Sequence, residues 1–158
     1  MENKYVKLHS LLRMLGALLA IIVFVSMFIA KQVVDPNDSS VFFDFRSGAF
    51  FGDSLCKGNV LGFFGYLFIL LGGLAGLAFV FIDEIIGKDL TKKLSFVAGG
   101  VAVLGALFVL LFAPIFIAIN GRYFNFLTTA PAPIVFGVFG LAVGGINIAA
   151  PILEEKGK

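Results

Sequence analysis

Four stretches of the chain, 14–30, 58–82, 94–121 and 123–153, contain no Asp, Glu, Lys or Arg. Crossing a bilayer as a helix takes about 20 apolar residues. Each stretch supplies them, the first by adding Leu11 and Leu12 and letting Arg13 extend along its aliphatic stem to the interface. The chain is 59% hydrophobic and 14% charged, with a mean hydropathy of +1.04; soluble domains average about 45–50% apolar and about 25% charged. The expected fold class is an all-α integral membrane protein, a four-transmembrane-helix bundle forming one membrane domain over residues 1–158. The helices are expected near 10–31, 60–83, 95–119 and 132–152. External loops would fill 32–59 and 120–131, and a cytoplasmic loop 84–94.

Only Arg122 separates the last two stretches, so the turn between them rests on Asn120-Gly121 and Ala130-Pro131-Ala132-Pro133. The first stretch reads as an uncleaved helix. It exceeds the usual 7–15 residues of a signal peptide, and Phe28 stands where a small residue would precede a cut after Ala30. Lys4, Lys7, Arg13, Lys88, Lys92, Lys93, Lys156 and Lys158 fall on one side of this topology, and Lys31, Arg46, Lys57 and Arg122 on the other. By the positive-inside rule both termini face the cytoplasm, with the plasma membrane the expected location. A net charge of +2, dispersed along the chain, gives no nucleic-acid footprint.

Small residues recur at helical spacing inside the apolar runs, which is how helices approach closely in lipid. The candidate packing residues are Gly16, Gly65, Gly72, Gly73, Gly76, Gly99, Gly137, Gly140, Gly144 and Gly145. Phe64-Gly65 and Gly72-Gly73 recur at Phe136-Gly137 and Gly144-Gly145 with one offset of 72, and Leu15-Gly16-Ala17-Leu18 recurs at Leu104-Gly105-Ala106-Leu107. These matches suggest a duplicated helical hairpin, an internal repeat with a pseudo-twofold axis along the membrane normal. The second and fourth helices would then be equivalent and could face each other at the centre through their glycines. Leu at Gly72 or Gly144 should disturb assembly more than a change at Leu70 or Val143.

Ionisable residues at depth usually mark membrane catalysis, and the charge-free spans offer none. His9 and Cys56 are the only residues of their kinds, too few for a bis-His haem or a zinc site, so no cofactor, metal site or catalytic residue is expected and the chain does not read as an enzyme. His9 reads as a wetted helix end and Cys56 as a free thiol. Asn147 and Tyr66 are the polar-tipped residues inside spans, each for an interhelical hydrogen bond or a ligand contact. The acidic pairs Asp83-Glu84 and Glu154-Glu155 sit at helix C-termini, against the dipole, and nearby lysines should compensate. Pro114 should loosen the outer end of the third helix.

The first external loop carries Phe42, Phe43, Phe45, Phe50 and Phe51. They read either as interfacial anchors or a lid, or as a partner surface rimmed by Asp44, Arg46, Asp53 and Lys57. Asn37-Asp38-Ser39 matches a glycosylation sequon. In topology alone the chain resembles four-span proteins of the claudin and MARVEL types; claudin-type proteins carry a tryptophan motif and a cysteine pair in this loop, and here there is no tryptophan and one cysteine. The expected function is a non-enzymatic assembly or accessory subunit, its partners the lipid bilayer and further copies of itself or another membrane protein. A small oligomeric channel or carrier is the alternative, and a lipid or hydrophobic-ligand binder the third.

Overall fold

A computed structural model describes residues 4–156. In chain order the elements are α1 (Lys4–Ser26), β1 (Val33–Val34), β2 (Phe42–Phe43), α2 (Val60–Ile86), α3 (Lys88–Leu110), α4 (Phe112–Asn120), a 3-10 turn (Gly121–Phe124), β3 (Thr128–Thr129) and α5 (Pro131–Lys156). The segments Leu8–Ser26, Val60–Ile86, Lys88–Leu110 and Pro131–Glu155 are long and apolar enough to cross a membrane. At about 1.5 Å of rise per residue, the 27 residues of α2 cover the thickness of a hydrocarbon core with room to tilt.

Local chemistry sets the boundaries. Beyond Ser26 the chain tightens into turns closed by three-residue bonds, Met27 N–H to Phe24 C=O (3.2 Å) and Phe28 N–H to Val25 C=O (3.1 Å), so α1 stops short of the expected residue 31. Asn59 starts α2. Its Oδ1 accepts from the Gly62 N–H at 3.2 Å and its Nδ2 donates to the Phe112 carbonyl at 3.0 Å, a helix cap that also ties α2 to α4. The cytoplasmic loop expected at 84–94 is reduced to one residue. Gly87, at φ 85°, donates to the Asp83 carbonyl, and Lys88 opens α3 at once; the left-handed backbone there favours glycine. The expected third helix is divided at Leu111. Pro114 has no N–H to return to the Leu110 carbonyl, so the hydrogen-bond ladder is interrupted one turn before it. Pro151 by contrast lies within α5, which runs on to Lys156.

α1 and α3 each pack against both α2 and α5, while α2 and α5 meet across the middle at fewer points. Ala20, Val23, Ile69, Ala102, Ala106 and Val143 are fully buried there. Leu18, Ile22, Leu71, Phe81, Val97, Leu104 and Val138 stay exposed on the outer faces, the distribution a helix group needs when its surroundings are as apolar as its core.

The glycines of α2 and α5 do not face one another at the centre. Gly72 approaches Ala98 and Ala102 of α3, and its proposed counterpart Gly144 approaches Gly99 and Val103 of the same helix. Under the twofold, Gly144 would lie on α1. Gly73 abuts Ala20 of α1, whereas Gly145 has nothing within 4 Å. The other pair does exchange partners, since Gly16 faces Ile146 of α5 and Gly105 faces Gly65 and Phe68 of α2. Environment and sequence match agree for α1 and α3 and part for α2 and α5.

Candidate functional site

Both inter-helix loops at one end of the helices are knitted into a single head. Its sheet has the order β2-β1-β3, with Val33 opposite Phe43 and Thr129, and Val34 opposite Phe42 and Thr128. Gln32 extends the pairing on both sides, donating its N–H to Phe43 C=O (2.8 Å) and accepting from Ala130 N–H (3.2 Å). Two-residue strands hold little by themselves. Their support comes from turns built on carboxylates: Asp35 accepts from Asn37 N–H, Asp38 from Ser40, Asp44 from Arg46 and Ser47, and Asp53 from Leu55 and Cys56. Hydrogen bonds from Ser40 hold the Asp38 carboxyl below its ordinary range, and those from Leu55 and Cys56 do the same for Asp53. At Asp44 partial burial pushes upward, but the bonds from Ser47 and Arg46 prevail and the net shift is down.

The phenylalanines form the floor of this head, with Phe50 withdrawn from any partner surface and Phe51 left on it. Phe50 is fully buried, its ring 5.0 Å from Phe112 and 5.9 Å from Tyr66. Phe43 lies 5.3 Å from both Phe116 and Phe124, and Phe45 lies 4.7 Å from Phe28. Phe42 is half-buried with the Lys31 ammonium 4.0 Å over its ring. Phe51 remains 58% exposed although it touches Phe63. Rings of this size bury enough apolar area to replace the sheet the strands are too short to supply.

Tyr66 serves the head as well. Its hydroxyl donates to Gln32 Oε1 at 3.0 Å and Gln32 Nε2 donates to the Ala30 carbonyl, both side chains being fully buried. This bond joins α2 to the start of β1. Cys56 is 7% exposed with Sγ 3.7 Å from the Gly48 carbonyl; burial, and then the Asp53 charge, push its thiol pKa up. Beside it a cleft of about 610 Å³ opens between the 53–57 segment and α4, lined by Phe43, Leu55, Ile119 and Phe124 with Asp53 and Lys57. Asn120 clasps its two walls, accepting from Lys57 N–H (2.6 Å) and donating to the carbonyls of Lys57 (2.8 Å) and Phe116 (2.9 Å).

The opposite end is polar inside, and here the Gly72-x-x-x-Gly76 turn of α2 acquires a second meaning. Asn147 of α5 donates to the Gly72 carbonyl at 2.9 Å, an interhelical contact that accounts for its amide. One turn on, Arg13 of α1 donates to the Gly76 carbonyl at 3.3 Å, with its guanidinium 5.7 Å from the Phe79 ring. A methyl at Gly76 would overlap the Asn147 amide oxygen. Bare glycine backbone therefore lets side chains from two flanking helices reach α2 carbonyls already engaged in the helix.

Arg13 departs from expectation in one respect, since its side chain is packed between helices. It is 2% exposed. Glu154 and Asp83 are the acidic groups near enough to act on it, across a small chamber of about 50 Å³ also lined by Lys88, Thr91 and Lys92. His9 is buried too, not wetted, and among the described residues His9 Nδ1, Arg13 Nε and Ser95 Oγ have no hydrogen-bond partner. Lysines of α3 compensate the Glu154-Glu155 pair across helices, Lys88 to Glu154 at 3.4 Å and Lys92 to Glu155 at 2.6 Å. Of the residues used to orient the chain, Lys158 lies outside the described residues, as do the side chains of Lys4, Lys7, Arg122 and Lys156.

The other glycines serve close approach. Gly65 and Gly105 lie against each other's carbonyls, as do Gly99 and Gly144, while Gly137 faces Leu110 and Gly140 faces Ile69 and Ala106. Gly145 faces open space and is not a packing residue within the chain. Sequence reasoning passes over Gln32 and Asn59 and takes Asn120 only as part of a turn, although all three fix the head; a signal exists in each, an amide at the border between a polar loop and an apolar run. No family model, no curated protein and no solved structure matches the chain.

Proposed function

We propose that the chain is a non-enzymatic four-span membrane protein that acts as an assembly or accessory subunit, recognising its partner through the head. The observation that carries this reading is the head itself, in which two separate loops share one sheet, one aromatic floor and the Asn120 clasp. A loop that merely connects spans gains nothing from such ordering, whose conformational cost is large; a surface that must recognise does. With the lysine and arginine bias placing the termini in the cytoplasm, the head faces outward. The exposed apolar residues Phe51, Leu55 and Phe126 give it something to bind with. Gentle extraction from the native membrane and native mass spectrometry test the reading. A particle heavier than one 16.9 kDa chain, dissociated by Leu55→Asp, is the expected result; a lone chain, or a complex indifferent to Leu55→Asp and Phe126→Asp, would overturn it.

One observation favours the channel or carrier reading as the second: Arg13, Ser95 and Asn147 are buried polar groups in the terminal half of the helices. Solute or ion flux from a purified homo-oligomer in liposomes would bring it forward.

A further inference from the structure

The head carries two opposite charges on one cleft. Asp53 and Lys57 both line the cavity of about 610 Å³, inside the range of small-molecule sites, roughly 300–1,000 Å³. The Asp53 carboxylate accepts at Oδ1 from the N–H groups of Leu55 and Cys56, and the Cys56 thiol is a further side-chain donor to it. Among the described residues neither side chain is engaged in an ion pair, with the other or with any third group, and both are exposed on the cleft. Their backbones are nevertheless fixed, Lys57 by both bonds of the Asn120 clasp and Asp53 by its N–H donated to the Cys56 carbonyl at 2.9 Å. Between them runs an apolar wall of Phe43, Leu55, Ile119 and Phe124, the two rings 5.3 Å apart and edge to face.

A purely apolar ligand would leave both charges unanswered, a simple cation would meet Lys57, and a simple anion would meet Asp53. We propose that this cleft binds a small zwitterion with an apolar body, its ammonium on Asp53, its acidic group on Lys57 and its apolar part against Phe43 and Phe124. That chemistry belongs both to a free amino acid with an apolar side chain and to the headgroup of a zwitterionic phospholipid. The inference rests on the head being the recognising part of the molecule and specifies what one face of it takes.

The test uses the full chain in nanodiscs of phosphatidylglycerol, which has no ammonium, with L-phenylalanine as the probe followed by ligand-observed NMR. Saturable binding is expected, with 2-phenylethylamine and 3-phenylpropionate each at least ten-fold weaker. Asp53→Asn, which keeps the Oδ1 acceptor of the turn, should abolish the preference over 3-phenylpropionate, and Lys57→Gln the preference over 2-phenylethylamine. In a parallel arm with phosphatidylcholine nanodiscs, loss of phenylalanine binding, restored by neither variant, together with lipid retention that depends on Asp53 and Lys57, identifies the headgroup as the source of the same chemistry. Equal binding of all three probes would overturn the inference, as would the absence of any dependence on Asp53 and Lys57 in both arms. If that result came with Leu55-dependent assembly intact, the zwitterion site would fall and the assembly reading would stand.

Discussion

The two ends of the molecule solve opposite problems. At the head, backbone in irregular loops must find hydrogen bonds, and short polar side chains supply them locally: Asp35, Asp38, Asp44 and Asp53 each serve their own turn. The space beneath is filled with rings. At the terminal end the backbone is helical and already satisfied, so polar side chains are there in surplus, and they reach across helices to glycine carbonyls or into a small chamber. One end is held by packing with local polar turns, the other by long-range polar contacts. Variants of the first kind should therefore cost more than variants of the second.

Phe50→Ala should have the largest effect, about 3–5 kcal/mol for emptying a fully buried ring site, read as a loss of thermal stability in detergent. Gly144→Leu should follow at about 3 kcal/mol, since the new side chain meets Val103 and the Gly99 carbonyl. Gly145→Leu, one residue on in open space, should fall within about 0.5 kcal/mol. Val143, fully buried, is not the permissive position that the sequence suggests, and equal effects at 144 and 145 would break the assignment of faces. Asn147→Ala should cost only about 1 kcal/mol, the worth of one interhelical hydrogen bond in such surroundings; a cost near that of Phe50→Ala would erase the contrast between the ends.

Smaller effects come from titration. The Asp53 carboxyl is held below its ordinary pKa, so the stabilisation it gives its turn is complete above the unfolded value of about 3.9 and fades as pH falls through the lower folded value. Amide exchange at Leu55 and Cys56, corrected for intrinsic rates, should accelerate only in acid. The Cys56 thiol, pushed up by burial, should alkylate at neutral pH more than ten-fold slower than an exposed cysteine. Fast labelling in the folded protein would mean that the 53–59 segment is not seated as described.

What was legible in the sequence follows the same division. Charge-free runs reveal helices because lipid-compatible length is a property of a single segment, so α2 and α5 were placed within a few residues. Gly87 as a complete turn is less visible, since Lys88 and Asp89 read as loop until the positive φ of Gly87 is known. The aromatic floor is legible only as one of several alternatives, a lid, because Phe43 and Phe50 owe their burial to α4, some seventy residues away in Phe112 and Phe116. Arg13 was misjudged for a similar reason. Its helix gives it an end to extend toward, and only the position of Gly76 on α2 shows that it turns inward.

The central claim is that two loops distant in sequence form one head, and cross-strand disulfide formation tests it most directly. Val34 pairs with Thr128 across β1 and β3, within the separation of about 4.4–6.8 Å between Cα atoms that a disulfide needs. In a Cys56→Ser background, Val34→Cys with Thr128→Cys should close on mild oxidation and leave no free thiol, while each single variant keeps one. Two free thiols persisting in the double variant under the same oxidation would contradict the account.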